Sequence, residues 1–187
     1  MRKLGCRTTS NNGHVADDSR ILILAVKPPV IPKVLKDVSE FITPQHLVIS
    51  VAMGITTRQI EKVLPPKTRV IRVMPNTPAL VREGASVFSC GSNTLEEDAG
   101  TAHRIFESVG ICDQIEENLL DAVTGLSGSG PAYVSLLSRS FHLLLSFVLY
   151  LQPGPASGEA GPNWKQSWST PIPLTTFNQI EGYICYR

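Results

Sequence analysis

The stretch ILILAVKPPVIPKVLKDVSEFI, residues 21 to 42, decides the fold class. Its first six residues form an apolar run, which is typical of a strand covered on both faces. Lys27, Pro28 and Pro29 end that run. Apolar residues then recur at spacings of three and four, as they do on one face of an amphipathic helix. A strand followed by such a helix indicates a parallel α/β sheet.

The same alternation of strand and helix extends over residues 6 to 110. Leu47 to Ala52 and Arg69 to Met74 are apolar and β-branched, and they predict two further strands. Gly110 is the expected C-terminal cap of the last helix. We therefore predict a parallel α/β sheet for this part of the chain.

Two capping-box sequences predict where helices begin. Thr56 with Gln59 opens a helix that runs through about Leu64. Thr94 with Glu97 opens a second helix in the same way.

A glycine-serine segment, VTGLSGSGPAY, occupies residues 123 to 133. Gly125, Gly128 and Gly130 allow positive φ angles, and Pro131 suits the first position of a new helix. Free backbone N–H groups at such a helix start favour a carboxylate or a phosphate. The segment is therefore a candidate anion site at a domain junction.

The segment has two other interpretations. A flexible linker stays open, whereas a nucleophilic serine does not fit the residues. A flexible linker has the same composition, although the Pro-Ala-Tyr-Val continuation argues against it. A nucleophilic serine in a Gly-x-Ser-x-Gly turn would need glycine two residues after Ser127, where Ser129 stands. It would also need a strand before it, whereas residues 117 to 124 have a helical pattern.

Charge and composition indicate a globular protein with small-molecule partners. The net charge is +1 and 42% of the residues are hydrophobic, so nothing favours binding to nucleic acid. The four cysteines lie far apart without a C-x-x-C pair, which indicates a reduced compartment and no disulfide or metal site. No secretory signal follows Met1, and we expect a cytoplasmic location.

Two C-terminal stretches have contrasting compositions. Residues 141 to 151 are the longest apolar stretch, too short for a membrane span of about 20 residues, and they predict a buried helix or one that requires a partner. Residues 152 to 187 contain five prolines and four glycines, a density that predicts an irregular tail.

Four separated motifs carry a resemblance to a known family. They are LGCRTTSNN at 4 to 12, LAVKP at 24 to 28, RVMPNTPALVREGA at 72 to 85 and DAVTGLSGSGPAY at 121 to 133. In wording, order and spacing they resemble pyrroline-5-carboxylate reductase. LGCRTT and LPPKTRVIRVMPN look most like the vertebrate cytosolic isozyme. The resemblance covers roughly residues 4 to 134.

The resemblance implies a fold and a reaction. In this family a Rossmann-like domain binds NADPH or NADH, and an all-helical domain dimerises and completes the active site, so that the enzyme is a homo-oligomer. The reaction reduces the C=N bond of pyrroline-5-carboxylate to give L-proline. For this chain the resemblance implies a partial dinucleotide-binding domain at 1–116, the start of the helical dimerisation domain at 117–151 and a tail without family similarity at 152–187.

The resemblance also implies site residues, although none is assigned a catalytic role. Glu117 matches a family position near the substrate. Asn76 could either order a tight turn or face the nicotinamide. The positions that match family cofactor-binding residues are Asn12, Ala25, Val26, Lys27, Pro28, Val51, Ala52 and Met53.

Each of these residues also has a purely structural interpretation. Lys27 could be a solvated charge at the end of a strand, and Asn12 a helix cap. Met53 could pack in the core, and Glu117 could start a helix, where a carboxylate is favoured.

The chain departs from the family at both ends. Its sequence contains no G-x-G-x-x-G turn, which cradles the cofactor pyrophosphate in such folds. The dimerisation domain is represented only by its first turns. We therefore expect a chain that is truncated at both ends and incompetent alone. The alternative function is a noncatalytic fragment that binds full-length reductase subunits through the apolar helix near 141 to 151.

Overall fold

A five-stranded sheet forms the centre of the fold, and its strands are neighbours in chain order. The computed structural model describes residues 5–151. The strands are β1 (Ile21–Leu24), β2 (Leu47–Ser50), β3 (Arg69–Met74), β4 (Gly84–Cys90) and β5 (Gly110–Gln114). The first three confirm the predicted strands, although β1 and β2 each end two residues earlier than expected.

Helices and short helical turns connect the strands. The α-helices are α1 (Asn12–Asp17), α2 (Ile31–Ser39), α3 (Thr57–Glu61), α4 (Glu96–Glu107), α5 (Leu120–Val123) and α6 (Gly130–Leu151). Single 3₁₀ turns lie at Pro28–Val30, Thr77–Val81 and Glu117–Leu119, and a π-helical turn lies at Thr124–Gly128.

The sheet is parallel only in part. β1, β2 and β3 are parallel, with Leu24, Ser50 and Arg72 in register. β4 runs antiparallel to β3, so the prediction of a wholly parallel sheet is wrong at this pair. Only residues 75–83 join the two strands, and a parallel connection requires a crossover of about a dozen residues or more. The mostly parallel, Rossmann-like α/β class is confirmed.

The hydrophobic core lies on both faces of the sheet. Val48 packs in the cluster beneath α1 and α2, while its neighbours Leu47 and Ile49 pack in the cluster that includes α4. This alternation follows from side chains pointing to opposite faces of a strand. All four residues of β2 are buried, as expected for a strand covered on both faces.

Helix α2 buries the face that its spacing predicts, apart from the two ends. Its buried residues are Ile31, Val34, Leu35 and Val38. Val30 and Phe41 were expected on the same face but are 42% and 38% exposed. Val30 belongs to the preceding 3₁₀ turn and Phe41 lies beyond the last helical residue, so neither follows the helical period.

The capping box at α3 is confirmed. The Gln59 backbone N–H donates to Thr56 Oγ1 at 3.2 Å, and the Thr56 N–H donates to Gln59 Oε1 at 2.8 Å. The helix ends at Glu61, earlier than the expected Leu64.

The predicted capping box at α4 is wrong by one residue. Thr94 Oγ1 donates to the Gly91 carbonyl at 2.8 Å instead of accepting a helix N–H. The Leu95 N–H donates to Asp98 Oδ2 at 2.8 Å, so Asp98 takes the role expected of Glu97.

The glycine-serine segment is helical, and the predicted open helix start is wrong. Gly125, Gly128 and Gly130 have no positive φ angle. The π-helical turn leads from α5 towards α6, and the Ser129 N–H donates to the Thr124 carbonyl at 3.1 Å. Because helical turns follow one another through this segment, it offers no row of free helix N–H groups to an anion. For the same reason it is not a flexible linker.

The compact unit built on the sheet runs through Pro131 and therefore includes residues 117–131. The predicted division into domains at residue 116 stays a prediction. Within α6, residues 132–148 expose a series of apolar side chains, so the alternative of a buried helix is wrong for them, and the requirement for a partner stays a prediction. The series is Tyr133, Val134, Leu136, Leu137, Phe141, Leu143, Leu144, Leu145, Phe147 and Val148. Among the described residues, no helix meets the length and apolar character of a membrane span.

Cys6, Cys90 and Cys112 carry free thiols. Burial, with smaller contributions from Asp113 and Glu107, raises the pKa of the Cys112 thiol to about 11. This thiol therefore stays protonated at neutral pH, and Cys112 packs in the core cluster that includes α4. Cys185 and the predicted irregular tail at 152–187 lie outside the described residues.

Gly110 was expected as a helix cap but instead begins β5, where it has a φ of +148°. A Cβ at this position would collide with the backbone of Gly84, its partner in β4. We predict that Gly110→Ala lowers the free energy of unfolding by about 2–3 kcal/mol, because both strain and a backbone collision follow.

The matched control is Gly100→Ala, inside α4, where a Cβ meets no atom within 4 Å. It should raise stability by about 0.5–1 kcal/mol, since alanine favours a helix over glycine. Urea unfolding of both variants measures the difference. Equal stability of the two would contradict the assigned β4–β5 contact.

Candidate functional site

The segments that follow β1, β2 and β3 meet at one edge of the sheet. The three strands are parallel and in register, so their carboxyl ends lie side by side. Open α/β sheets bind ligands outside this edge. The structure therefore places residues 25–28, residues 51–53 and Asn76 at one edge, as the sequence prediction requires.

Two side chains at this edge suit a dinucleotide. Lys27 is exposed and makes no ion pair among the described residues, so its ammonium group is available to a phosphate. Met53 is 58% exposed, so the interpretation of Met53 as core is wrong. An exposed, flexible apolar side chain gains from covering a flat ring.

The other residues of these segments pack towards the core and hold the segments in place. Val26 packs against one core cluster and Val51 against the other. Ala52 is buried, and its N–H donates to Ser50 Oγ at 3.3 Å. Their backbone thereby keeps a fixed path where each strand ends.

Asn12 does not cap α1, so that interpretation is wrong by one residue. The cap is Asn11, whose Oδ1 accepts the Gly13 N–H at 2.9 Å. Asn12 is the first residue of the helix, and its Nδ2 donates to Asp37 Oδ2 at 3.1 Å. Its assignment to a cofactor stays a prediction.

Glu117 is bound by residues from two other elements. Its Oε1 accepts the Thr57 N–H and its Oε2 accepts the Thr57 hydroxyl, both at 2.7 Å. Arg72 Nη1 lies 3.6 Å from Oε1. Glu117 does begin a 3₁₀ turn, as its structural interpretation expects, but these contacts also tie that turn to α3 and β3.

Arg72 is a buried charge in the middle of the sheet, with 3% of its side chain exposed. Besides Glu117, it contacts Asp121, to which Nη2 donates at 2.7 Å. Burial of an unpaired guanidinium costs free energy. The carboxylates of Glu117 and Asp121 therefore stabilise Arg72 by pairing with its charge. Sequence reasoning missed Arg72, although a charge inside the apolar strand RVIRVM was a visible signal.

Alternate residues of β3 and of the chain just beyond it contact the segment at 117–128. Arg72, Met74 and Asn76 follow one another at a spacing of two, which places them on one face of an extended chain. Arg72 contacts Asp121. A Cβ on Gly128 would lie 3.0 Å from Met74 Cε, so the backbone comes close there.

Asn76 makes the third contact of this face. Its Nδ2 donates to Ser127 Oγ at 3.3 Å, and its Oδ1 accepts the Ala85 N–H at 2.9 Å. These bonds tie Asn76 to the start of β4 and to the glycine-serine segment, and its assignment to the nicotinamide stays a prediction. Ser127 was not predicted as a site residue, because its partner lies 51 positions away in the chain.

A separate groove of about 1090 Å³ lies at the opposite edge of the sheet, near the amino ends of β1–β3. Arg20, Gln45 and Arg104 are among its lining residues. None of the predicted site residues lines it, so we assign the candidate site to the carboxyl edge. Within residues 5–151 there is no cluster of three side chains suited to a metal ion.

We predict that Arg72→Met lowers the free energy of unfolding by about 2–3 kcal/mol, because it leaves Glu117 without a cation in a half-buried position. The control is Arg7→Met, which removes an exposed ion pair with Asp18 at 3.2 Å. That change should cost about 0–1 kcal/mol. Thermal unfolding compares the two, and an equal small effect would refute the structural role of Arg72.

Comparison with known proteins relates the chain to a family of oxidoreductases. A family model described as "NADP oxidoreductase coenzyme F420-dependent" matches residues 1–54. Pyrroline-5-carboxylate reductase 2 of Bos taurus is 46% identical over 136 residues, which are 71% of this chain and 42% of the bovine protein. The chain thus spans less than half the length of that relative.

Two solved structures extend the match. A pyrroline-5-carboxylate reductase from Coxiella burnetii is 31% identical with a TM-score of 0.69, covering 94% of this chain and 72% of that one. The Plasmodium falciparum pyrroline carboxylate reductase, solved with NADP bound, is 27% identical with a TM-score of 0.68, covering 90% and 70%. The identity to the bovine and Coxiella burnetii reductases and the fold shared with the latter lead to one conclusion. The chain belongs to the pyrroline-5-carboxylate reductase family.

Proposed function

We propose that this chain supplies the cofactor edge of a pyrroline-5-carboxylate reductase, which uses NADPH or NADH to reduce pyrroline-5-carboxylate to L-proline in proline biosynthesis. The observation that carries the proposal is the common carboxyl edge of β1, β2 and β3, where the family-matched residues lie together. Membership in the reductase family supplies the reaction.

The side chains at this edge fit the proposed cofactor. Lys27 offers a cation for a phosphate, and Met53 offers an exposed apolar surface for a ring. The name of the matching family model and the NADP bound to the Plasmodium falciparum enzyme favour NADPH over NADH. When bound, the cofactor supplies the hydride, and the protein orients its ring and excludes water.

The substrate side of the site is the segment at 117–128. Both carboxylate oxygens of Glu117 are bound by Thr57, so Glu117 contributes by fixing the segment that faces the substrate. Arg72 in β3 and Asn76, two residues beyond the end of β3, hold the same segment. In this proposal the described residues position the cofactor and the substrate, and no catalytic residue is assigned.

The chain covers 42% of the bovine relative, and its sequence contains no G-x-G-x-x-G turn. We therefore propose that the 187-residue polypeptide alone turns over far more slowly than a whole reductase. We also propose a homo-oligomeric reductase in the cytoplasm. The wide spacing of the four cysteines, without a C-x-x-C pair, supports a reduced compartment.

A second function is favoured by the exposed apolar side chains at 132–148. In this alternative, the chain is a noncatalytic fragment that binds full-length reductase subunits through these side chains. Apolar surfaces of this kind mark protein interaction sites in soluble proteins.

We predict that the fluorescence of NADPH changes saturably as the purified chain is added. Lys27→Gln should weaken the affinity for NADPH about 10-fold, because a charged hydrogen bond to a phosphate is lost. Lys33→Gln is the matched control, since Lys33 is exposed on α2. An equal effect of Lys27→Gln and Lys33→Gln on the affinity for NADPH would contradict a cofactor site at Lys27.

The same preparation tests turnover with pyrroline-5-carboxylate and NADPH. We expect a rate at least about 100-fold below that of a whole reductase, because an incompletely positioned cofactor loses that much or more. A rate equal to that of the whole enzyme would contradict the proposed incompetence of the chain alone.

For the alternative function, we predict that the tagged chain captures a whole reductase at micromolar concentration. The double variant Leu137→Glu with Leu144→Glu should abolish capture, because it places charges on the exposed apolar surface. Ser135→Glu adds a charge to the polar face that Ser135 shares with Arg139 and Ser146, and it should leave capture intact. No capture by the wild-type chain would refute the alternative.

A further inference from the structure

The amide of Asn76 has only one orientation that satisfies its neighbours. The backbone N–H of Ala85 can only donate, and it lies 2.9 Å from Oδ1 of Asn76. A flipped amide would place an NH₂ group against that N–H, with two donors facing each other. Oδ1 therefore faces Ala85, and the NH₂ group faces Ser127.

This orientation determines the role of the Ser127 hydroxyl. Because the Asn76 NH₂ group donates to Ser127 Oγ at 3.3 Å, the serine oxygen accepts that bond. Its own hydrogen must then point elsewhere. Among the described residues Ser127 Oγ donates no hydrogen bond, and Ser127 is only half buried.

The neighbouring serine is different. Ser129 Oγ donates to the Thr124 carbonyl at 3.3 Å, so its hydrogen is already used within the helix. Of the two serines in the glycine-serine segment, only Ser127 thus has a hydroxyl hydrogen without an acceptor. It also lies next to Asn76, two residues beyond the carboxyl end of β3.

We infer that Asn76 is a positioning residue that presents the Ser127 hydroxyl as a hydrogen-bond donor to a trigonal oxygen of a bound ligand. Two ligands of the proposed reaction carry such an oxygen: the carboxamide of the nicotinamide and the carboxylate of pyrroline-5-carboxylate. The inference rests on the proposed function for the identity of these ligands. It adds Ser127 to the site and gives Asn76 an indirect role.

Ser127→Ala tests the donor directly, with Ser129→Ala as the matched control. The affinity for NADPH and for pyrroline-5-carboxylate is measured separately. If the acceptor is the neutral carboxamide, Ser127→Ala weakens NADPH binding roughly 3- to 10-fold. If it is the carboxylate, Ser127→Ala weakens pyrroline-5-carboxylate binding roughly 10- to 100-fold, because the bond is to a charge. Ser129→Ala should change neither affinity.

Asn76→Asp tests the positioning. The aspartate keeps an acceptor for the Ala85 N–H, but its second oxygen now accepts the Ser127 hydrogen and removes it from the ligand. The new charge could also repel an anionic ligand, and the double variant separates the two effects. A loss that acts through Ser127 is absent when Ser127→Ala is already present, whereas repulsion adds to it.

The outcomes are distinct. Equal losses for the two single variants, without further loss in the double variant, support the inference. Ligand binding that is unchanged by Ser127→Ala overturns the inference and leaves the proposed function intact. An additive double variant overturns the positioning role of Asn76. A wild-type chain that binds neither ligand contradicts both the inference and the proposed function.

Discussion

The buried guanidinium of Arg72 is the constraint on which the site depends. A charge in the middle strand of a sheet must be paired, and its partners Glu117 and Asp121 come from one short segment almost fifty residues later. That requirement fixes the segment against β3. Met74 and Asn76, on the same face of the strand, then make the next two contacts with it.

The small residues of the glycine-serine segment allow it to pack closely against β3 and Asn76. Gly128 permits the backbone to come close to Met74, where a larger side chain would have to displace the Met74 side chain. Ser127 thereby reaches Asn76 at the carboxyl edge of the sheet. The segment is important for close packing against a strand, and the positive φ angles expected of its glycines are not used.

The sequence predicted those parts of the fold that depend on local periodicity. β1, α2 and β3 could be read because buried strands and amphipathic helices leave regular apolar patterns. The antiparallel β4 could not, because the direction of a strand depends on the short connection before it. The start of α4 was missed by one residue because Asp98 and Glu97 are both suitable acceptors.

The site was predicted only in its strand-end segments. Those follow from topology, since parallel strands bring their carboxyl ends together. The pairs Arg72 with Asp121 and Asn76 with Ser127 span 49 and 51 positions, and no local pattern reveals such contacts. Resemblance to the family identified Glu117 but not the Thr57 contacts that occupy its carboxylate.

The most direct test of the central claim is a map of backbone amide chemical shifts on titration of the isotopically labelled chain with NADPH. We predict that the largest changes fall at residues 25–27, residues 51–54, Asn76 and Ser127, along the carboxyl edge of the parallel strands. Changes concentrated instead at Arg20, Gln45 and Arg104, in the groove at the opposite edge, would contradict it.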